Sequence, residues 1–202
     1  MTVKRAKYHH GNLAAELIRQ GAALLAERGA DAFSLREVAR RAGVAAAAPA
    51  HHFGNVRGLM TAIATAGFTE LAERQATAAQ AATSPNDAVT AICRAYVDTC
   101  TQSPGHAAVM FRLDMIDAED PEFRAAAFAA FDQLQAAVHS AVPNGADPAC
   151  TAKALWSAMH GLTGLKMLRD EPRLIDFTVR TLLAGTAPTR PAARPDQAGR
   201  SP

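Results

Sequence analysis

The stretch SLREVARRAGVAAAAPAHHFGN, Ser34 to Asn55, decides the fold. Ser34 with Glu37 three residues on forms a capping box, which opens a short helix whose buried face is Leu35, Val38 and Ala39. Gly43 ends that helix and makes a turn. Val44 then leads into a second short helix over about 45–51, and Phe53 supplies a bulky anchor before Gly54 and Asn55 break the chain again. Helix, tight glycine turn and helix is the layout of a DNA-reading unit. Yet the positions expected to touch bases, Ala45 to Ala48, carry methyl groups alone.

Outward from this unit the chain reads as helix throughout. Leu13, Leu17, Ile18, Leu24 and Leu25 recur at helical spacing up to Gly29, predicting a first helix over about 12–28. Asn55 caps a helix of about 25 residues with Leu59, Met60, Ile63, Ala64, Gly67, Phe68 and Leu71 on one face, long enough to link two domains. Beyond it follow a helix to about 102, one from SPG to about Ile116, and an amphipathic one carrying Phe123, Phe128, Phe131, Leu134 and Val138. A long segment over about 148–169 and a last helix over about 172–184 complete the series. The expectation is an all-α fold of about nine helices. Residues 1–57 form a helix-turn-helix domain with a basic arm, 58–185 a helical ligand-binding and dimerisation domain, and 186–202, rich in Pro, Ala and Arg, a disordered tail.

Composition agrees. Of 202 residues 49% are hydrophobic and only 5% aromatic, with alanine abundant, which favours close-packed helices over a sheet core. No apolar run of signal-peptide or membrane-spanning length is present, so the expected location is the cytoplasm, with no membrane partner. The net charge of +2 divides unevenly: residues 1–57 hold nine Lys/Arg against four acids, a net of +5, and the remainder is −3. Such asymmetry points the basic part towards a polyanion; a merely solvated basic face is the plainer alternative.

Catalytic and metal chemistry find little support. His9-His10 and His51-His52 make poor metal sets, since neighbours on a helix point about 100° apart and no Cys or carboxylate completes a tetrahedron. There is no nucleophile elbow, P-loop or dinucleotide glycine motif. No enzyme, metal or cofactor is expected. Cys93 and Cys100, seven positions apart, read as packed thiols, with a redox pair as the alternative.

The segments YHHGNL, FSLREVARRAGV and HHFGN, followed by the long linking helix, resemble the DNA-binding domain of the TetR-type transcriptional repressors. LWSAMHGLTGL, Leu155 to Leu165, is similar to the Trp/His/Gly signature of a regulatory-domain subclass. Together the matches span roughly residues 8–185. The resemblance implies a homodimer on a palindromic double-stranded operator, released by a small apolar effector. Ala45, Ala50 and Val56 stand where relatives place a capping Ser or Thr, a phosphate-contacting Tyr and a Lys.

Phosphate contacts then fall to the arm residues Lys4, Arg5 and Lys7 and to Arg36 and Arg57. Ala45, Ala46 and Ala47 can only pack on thymine methyls, which leaves polar readout to Arg40, Arg41, His51 and His52, the histidines meeting phosphate, solvent or bases. Trp156, Met159 and His160 on one helix, with Met110, Phe111 and Met115 on another, read either as packed core or as a pocket with a single polar contact. A dimeric helical sensor with weak or lost DNA binding is the rival to the repressor.

Overall fold

A computed structural model describes residues 10–142, 147–165, 167–169, 171 and 173–185. The arm residues Lys4, Arg5 and Lys7 and the tail lie outside the described residues. The described elements are α1 (His10–Arg28), α2 (Leu35–Ala42), α3 (Ala48–Phe53), α4 (Val56–Gln80), α5 (Pro85–Gln102), α6 (Pro104–Met110), α7 (Pro121–Ala141), α8 (Pro148–Gly164), a single 3-10 turn (Met167–Arg169) and α9 (Leu174–Ala184). Among the described residues there is no strand, so the fold is all-α with nine α-helices.

Local chemistry sets most of the boundaries. The Ser34 hydroxyl accepts the Glu37 amide at 3.3 Å, and Gly43, at φ 67°, closes α2 in the left-handed conformation that glycine tolerates. Only half of the expected capping box forms, because the Glu37 carboxylate turns to Arg40 and Arg41. The Asn55 side chain caps α4 by accepting the Gly58 N–H at 3.0 Å. Ser84, Asp120 and Asp147 cap α5, α7 and α8 in the same way.

Three boundaries differ from the sequence expectation. The second helix of the turn motif begins at Ala48 rather than 45, and Ala45–Ala48 form a turn closed by the Ala48 N–H on the Ala45 carbonyl at 2.9 Å. Alanine has no side-chain acceptor for the first free N–H groups, so nothing holds an earlier start. Pro49 sits in the first turn, where its missing N–H costs nothing. The helix after SPG stops at Met110 instead of Ile116, and Arg112, Met115 and Asp120 donate into successive turns. The segment expected over 148–169 ends as α-helix at Gly164 and gives way to the 3-10 turn before α9.

Helix α4 is the axis of the molecule. Its Leu59, Ile63, Ala64 and Leu71 are fully buried, and it packs against α5, α6 and α7. Two glycines let α6 approach its neighbours closely. A Cβ on Gly67 would lie 2.7 Å from the Met110 Sδ, and one on Gly105 would lie 1.9 Å from the Ala22 carbonyl oxygen, so α6 rests directly on the backbone of α1. Cys93 and Cys100 are both buried on α5. Two helical turns separate them by about 10.5 Å, beyond the span of a disulfide. Burial pushes the Cys93 thiol up to about 12 and the Cys100 thiol up to about 11, which removes the thiolate that oxidation needs. They are packing residues.

Candidate DNA interface and ligand cavity

Helices α1, α2 and α3 make a compact head. Val38, Ala39 and Ala42 bury one face of α2 in the core that also holds Leu24, Leu25 and Phe33, and the opposite side of the motif remains open to solvent. On that side Arg36, Arg40, Ala45, Ala46, Ala47, Ala50, His51 and His52 are all exposed. A shallow groove of about 380 Å³ runs between Arg36, Arg40, Val44 and Ala46. The side chain of Arg40 is 69% exposed although it pairs with Glu37 at 2.7 Å, so it is available to a polyanion.

Arg41 is placed differently. Its side chain is only 14% exposed, and its guanidinium meets Glu27 of α1 at 2.7 Å and Glu37 at 3.2 Å. This arginine braces α2 on α1 and stands apart from the exposed set to which its sequence position assigned it. Hydrogen bonds from Arg40 and then Arg41 hold the Glu37 carboxyl down at about 2. The partner Glu27 lies fourteen residues away, on another helix, where no local pattern marks it.

At the elbow, Gly54 takes φ 74° and α4 starts with Val56 and Arg57 exposed. A Cβ on Gly58 would fall 2.0 Å from the Phe53 carbonyl oxygen, so the end of α3 is packed hard on the beginning of α4. Arg57 donates to the Leu113 carbonyl at 3.4 Å. One turn on, the buried Thr61 hydroxyl donates to the Arg57 carbonyl and accepts the Asp117 N–H, both at 2.8 Å. The start of α4 is thereby tied to the segment between α6 and α7.

That segment forms one wall of an open cavity of about 520 Å³, lined by Phe68 of α4, Met110 and Phe111 at the end of α6, Phe123, Ala127, Phe128 and Phe131 of α7, and Trp156 of α8. Leu113, Ala118, Glu119 and Arg124 complete its lining. The rings pack edge to face: Phe68 meets Phe111 at 5.3 Å and Phe123 at 5.7 Å, and Trp156 meets Phe131 at 5.5 Å. Of the sequence-derived pocket residues the structure brings Met110, Phe111 and Trp156 to the lining. Met159 is 1% exposed in the core, and Met115 is half-buried against it, so neither faces the cavity.

His160 is exposed, with its Nδ1 sharing a hydrogen bond with the Tyr96 hydroxyl at 3.0 Å and its ring 4.5 Å from that of Phe111. It supports the cavity wall from behind instead of lining it. Burial raises the Tyr96 phenol well above its usual range and keeps it protonated, so it remains a donor. The aromatic series of α7 was the signal for the missed lining: Phe123, Phe128 and Phe131 crowd one helix of a chain holding only eight phenylalanines.

A helix-turn-helix head joined by one continuous helix to a helical body with an aromatic cavity defines a DNA-binding transcription regulator. The model of the bacterial regulatory proteins of the tetR family matches residues 17–63, and that of the tetracyclin repressor-like C-terminal domain matches residues 89–186. The chain belongs to the tetR family. It is similar in structure to a protein of unknown function from Rhodococcus sp. RHA1, with 26% identity and a TM-score of 0.77 over 91% of this chain and 100% of that one. PfmR, a TetR family transcriptional regulator from Thermus thermophilus, shares the fold with 18% identity and a TM-score of 0.67, over 88% of this chain and 97% of its own. The transcriptional regulator FadR from Bacillus subtilis in complex with stearoyl-CoA does so with 14% identity and a TM-score of 0.68, over 86% and 99%. No curated protein matches the sequence. Among the described residues no group of His, Cys, Asp and Glu is arranged to hold a metal ion, and no helix is long and apolar enough to cross a membrane.

Proposed function

We propose that this protein is a cytoplasmic, ligand-responsive repressor that binds a palindromic operator as a homodimer and is released by a small, largely apolar effector. The observation that carries the proposal is the hydrogen-bonded link from the cavity wall to the root of the reading head, Leu113 to Arg57 and Asp117 to Thr61. An effector that pushes on Phe111 or Leu113 moves the segment on which the first turn of α4 hangs. Moving that turn moves α3, because Phe53 and Gly58 are in backbone contact. A coupling of about 1–3 kcal/mol suffices for a switch.

Dimerisation through α8 and α9 is supported by the exposed Leu165, Met167 and Phe177, at 73%, 49% and 59%, gathered at the ends of these helices. Two heads related by a two-fold axis then meet half-sites about 34–36 Å apart or a multiple of that. Arg36, Arg40, Arg57 and the arm residues Lys4, Arg5 and Lys7 supply phosphate contacts; His51 and His52 supply what polar base readout there is. The second reading, a helical sensor with little DNA affinity, is favoured by the exposed Ala50 and by Val56, 38% exposed where relatives carry a lysine. Titration of the protein against the DNA upstream of its own coding region, at several salt concentrations, separates them. The repressor gives operator affinity above that for unrelated DNA; equal, weak affinity for both establishes the sensor.

A further inference from the structure

Two arginines and five acids, Asp114, Asp117, Glu119, Asp120 and Glu122, occupy residues 112–124, the segment that runs along the mouth of the aromatic cavity. The net charge of this stretch is −3. The wider body, residues 58–185, holds nine Lys/Arg against fourteen Asp/Glu and is −5 overall, opposite in sign to the head. Fields of one sign at the mouth of a low-dielectric cleft concentrate ligands of the other sign.

The cavity behind this mouth gathers six of the chain's eleven aromatic side chains, Phe68, Phe111, Phe123, Phe128, Phe131 and Trp156. Aromatic faces carry the negative end of a quadrupole and attract cations. At the rim a cation already sits in that position. The Arg124 guanidinium lies 5.8 Å from the centroid of the Phe128 ring, which is 57% exposed, and pairs with Glu119 at 2.8 Å. Glu119, Phe128 and a guanidinium together are the recognition elements for an organic cation, filled here by the protein's own side chain. An anionic ligand has a poorer prospect, since the one arginine of the lining, Arg124, is already neutralised by Glu119, and the remaining lip residues, Arg112 against Asp114, Asp117, Asp120 and Glu122, leave a net of −3 that Arg57 at the Leu113 carbonyl offsets only in part.

We infer that the effector is a lipophilic aromatic cation, whose ring system enters between Phe68, Phe111 and Trp156 while its charge displaces Arg124 from Phe128 and Glu119. This rests on the reading of the cavity as the effector site and adds the charge class to it. It also explains how a ligand acts on the wall: freeing Arg124 from Glu119 loosens the lip that carries Asp117, the partner of Thr61.

The test uses the full-length protein and three probes sharing one three-ring body: an anthracenylmethyl-trimethylammonium salt, anthracenemethanol and anthracene carboxylate. Binding is followed by quenching of the single tryptophan, Trp156, which lines the cavity. The expected result is that the cation binds about tenfold or more tighter than the carboxylate, with the difference shrinking as salt rises. Glu119→Gln should reduce the cation's advantage, whereas Arg124→Gln should increase it by vacating the Phe128 face. Neither residue belongs to the buried core, so both variants should fold. Carboxylate binding equal to or tighter than the cation's, or an unaltered preference in both variants, overturns the charge assignment while leaving an effector cavity in place. Binding of none of the three overturns the cavity reading and the inference with it.

Discussion

The Asp117 N–H donates to the Thr61 hydroxyl at 2.8 Å, across 56 residues of chain, and joins the lip of the cavity to the first turn of the helix that carries the reading head. Thr61 is buried and Asp117 exposed, so the bond lies at the edge of the core. Thr61→Val keeps the shape and removes the acceptor. The expected cost is about 0.5–1.5 kcal/mol of stability, the net worth of an ordinary hydrogen bond. The effect of a cavity ligand on operator affinity should shrink as well. Denaturant unfolding measures the first and DNA titration with and without ligand the second; a variant with unchanged stability and unchanged response would show that this bond carries no coupling.

Gly105 provides a second handle on the same path. Its hydrogen faces the Ala22 carbonyl so closely that a methyl group would lie 1.9 Å from the oxygen. Gly105→Ala must therefore push α6 away from α1, at a cost of about 1–3 kcal/mol or more. The melting temperature of Gly105→Ala against the parent measures it, and an unchanged value would show that α6 does not rest on the backbone of α1.

Val56 is 38% exposed at the root of α4. Val56→Lys should tighten binding to operator and unrelated DNA alike, because a phosphate contact carries no sequence information. Two such contacts per dimer should steepen the slope of log K against log salt by about 1.8. Ala50→Tyr should strengthen binding with little change in slope, since it adds no formal charge. If Val56→Lys alters neither affinity nor slope, this face does not meet the DNA backbone.

Arg40 and Arg41 are neighbours with opposite expected phenotypes. Arg41→Ala removes the brace to Glu27 and Glu37 and should lower the melting temperature, weakening all DNA binding in proportion. Arg40→Ala should leave the melting temperature nearly unchanged, as exposed pairs contribute little, and reduce DNA affinity directly. Thermal melts and parallel titrations on two DNAs distinguish the two; an Arg41 variant of normal stability that loses operator binding selectively would make Arg41 a base reader after all.

Glu37 links this brace to pH. Its folded-state value is depressed to about 2 from 4.5 by Arg40 and Arg41. A depressed carboxyl binds fewer protons folded than unfolded, so its stabilisation is complete above the unfolded value and disappears as pH falls from about 4.5 to about 2. Glu37→Gln should be less stable than the parent at neutral pH and should lose less stability on acidification. Denaturation midpoints across that window report it, and parallel curves for the two proteins would count against it.

The reading head was legible in the sequence because its determinants are local. Ser34 and Asn55 meet N–H groups three residues on, Gly43 and Gly54 supply conformations that other residues resist, and each acts within one helical turn. The long helix from Asn55 and the all-α class followed from periodicity in the same way. The exposed set Arg36, Arg40, His51 and His52 also followed, since a short amphipathic helix with one buried face leaves its polar residues little choice.

Helix ends without a capping side chain were not legible, as the late start of α3 after Ala47 shows. Nor was the cavity more than half visible: Met110, Phe111 and Trp156 were within reach of sequence, but Phe68, Phe123, Phe128 and Phe131 join them only when α4 and α7 cross. Met159 and His160 share the helix of Trp156, yet the rotation of α8 against α5 turns one into the core and leaves the other exposed at its edge, on the Tyr96 hydroxyl. Arg41 likewise differs from Arg40 only because Glu27 waits on another helix. Spacing along a chain specifies which residues share a helix face; which way that face turns is decided by the sum of weak contacts among helices distant in sequence, and no local pattern encodes that sum.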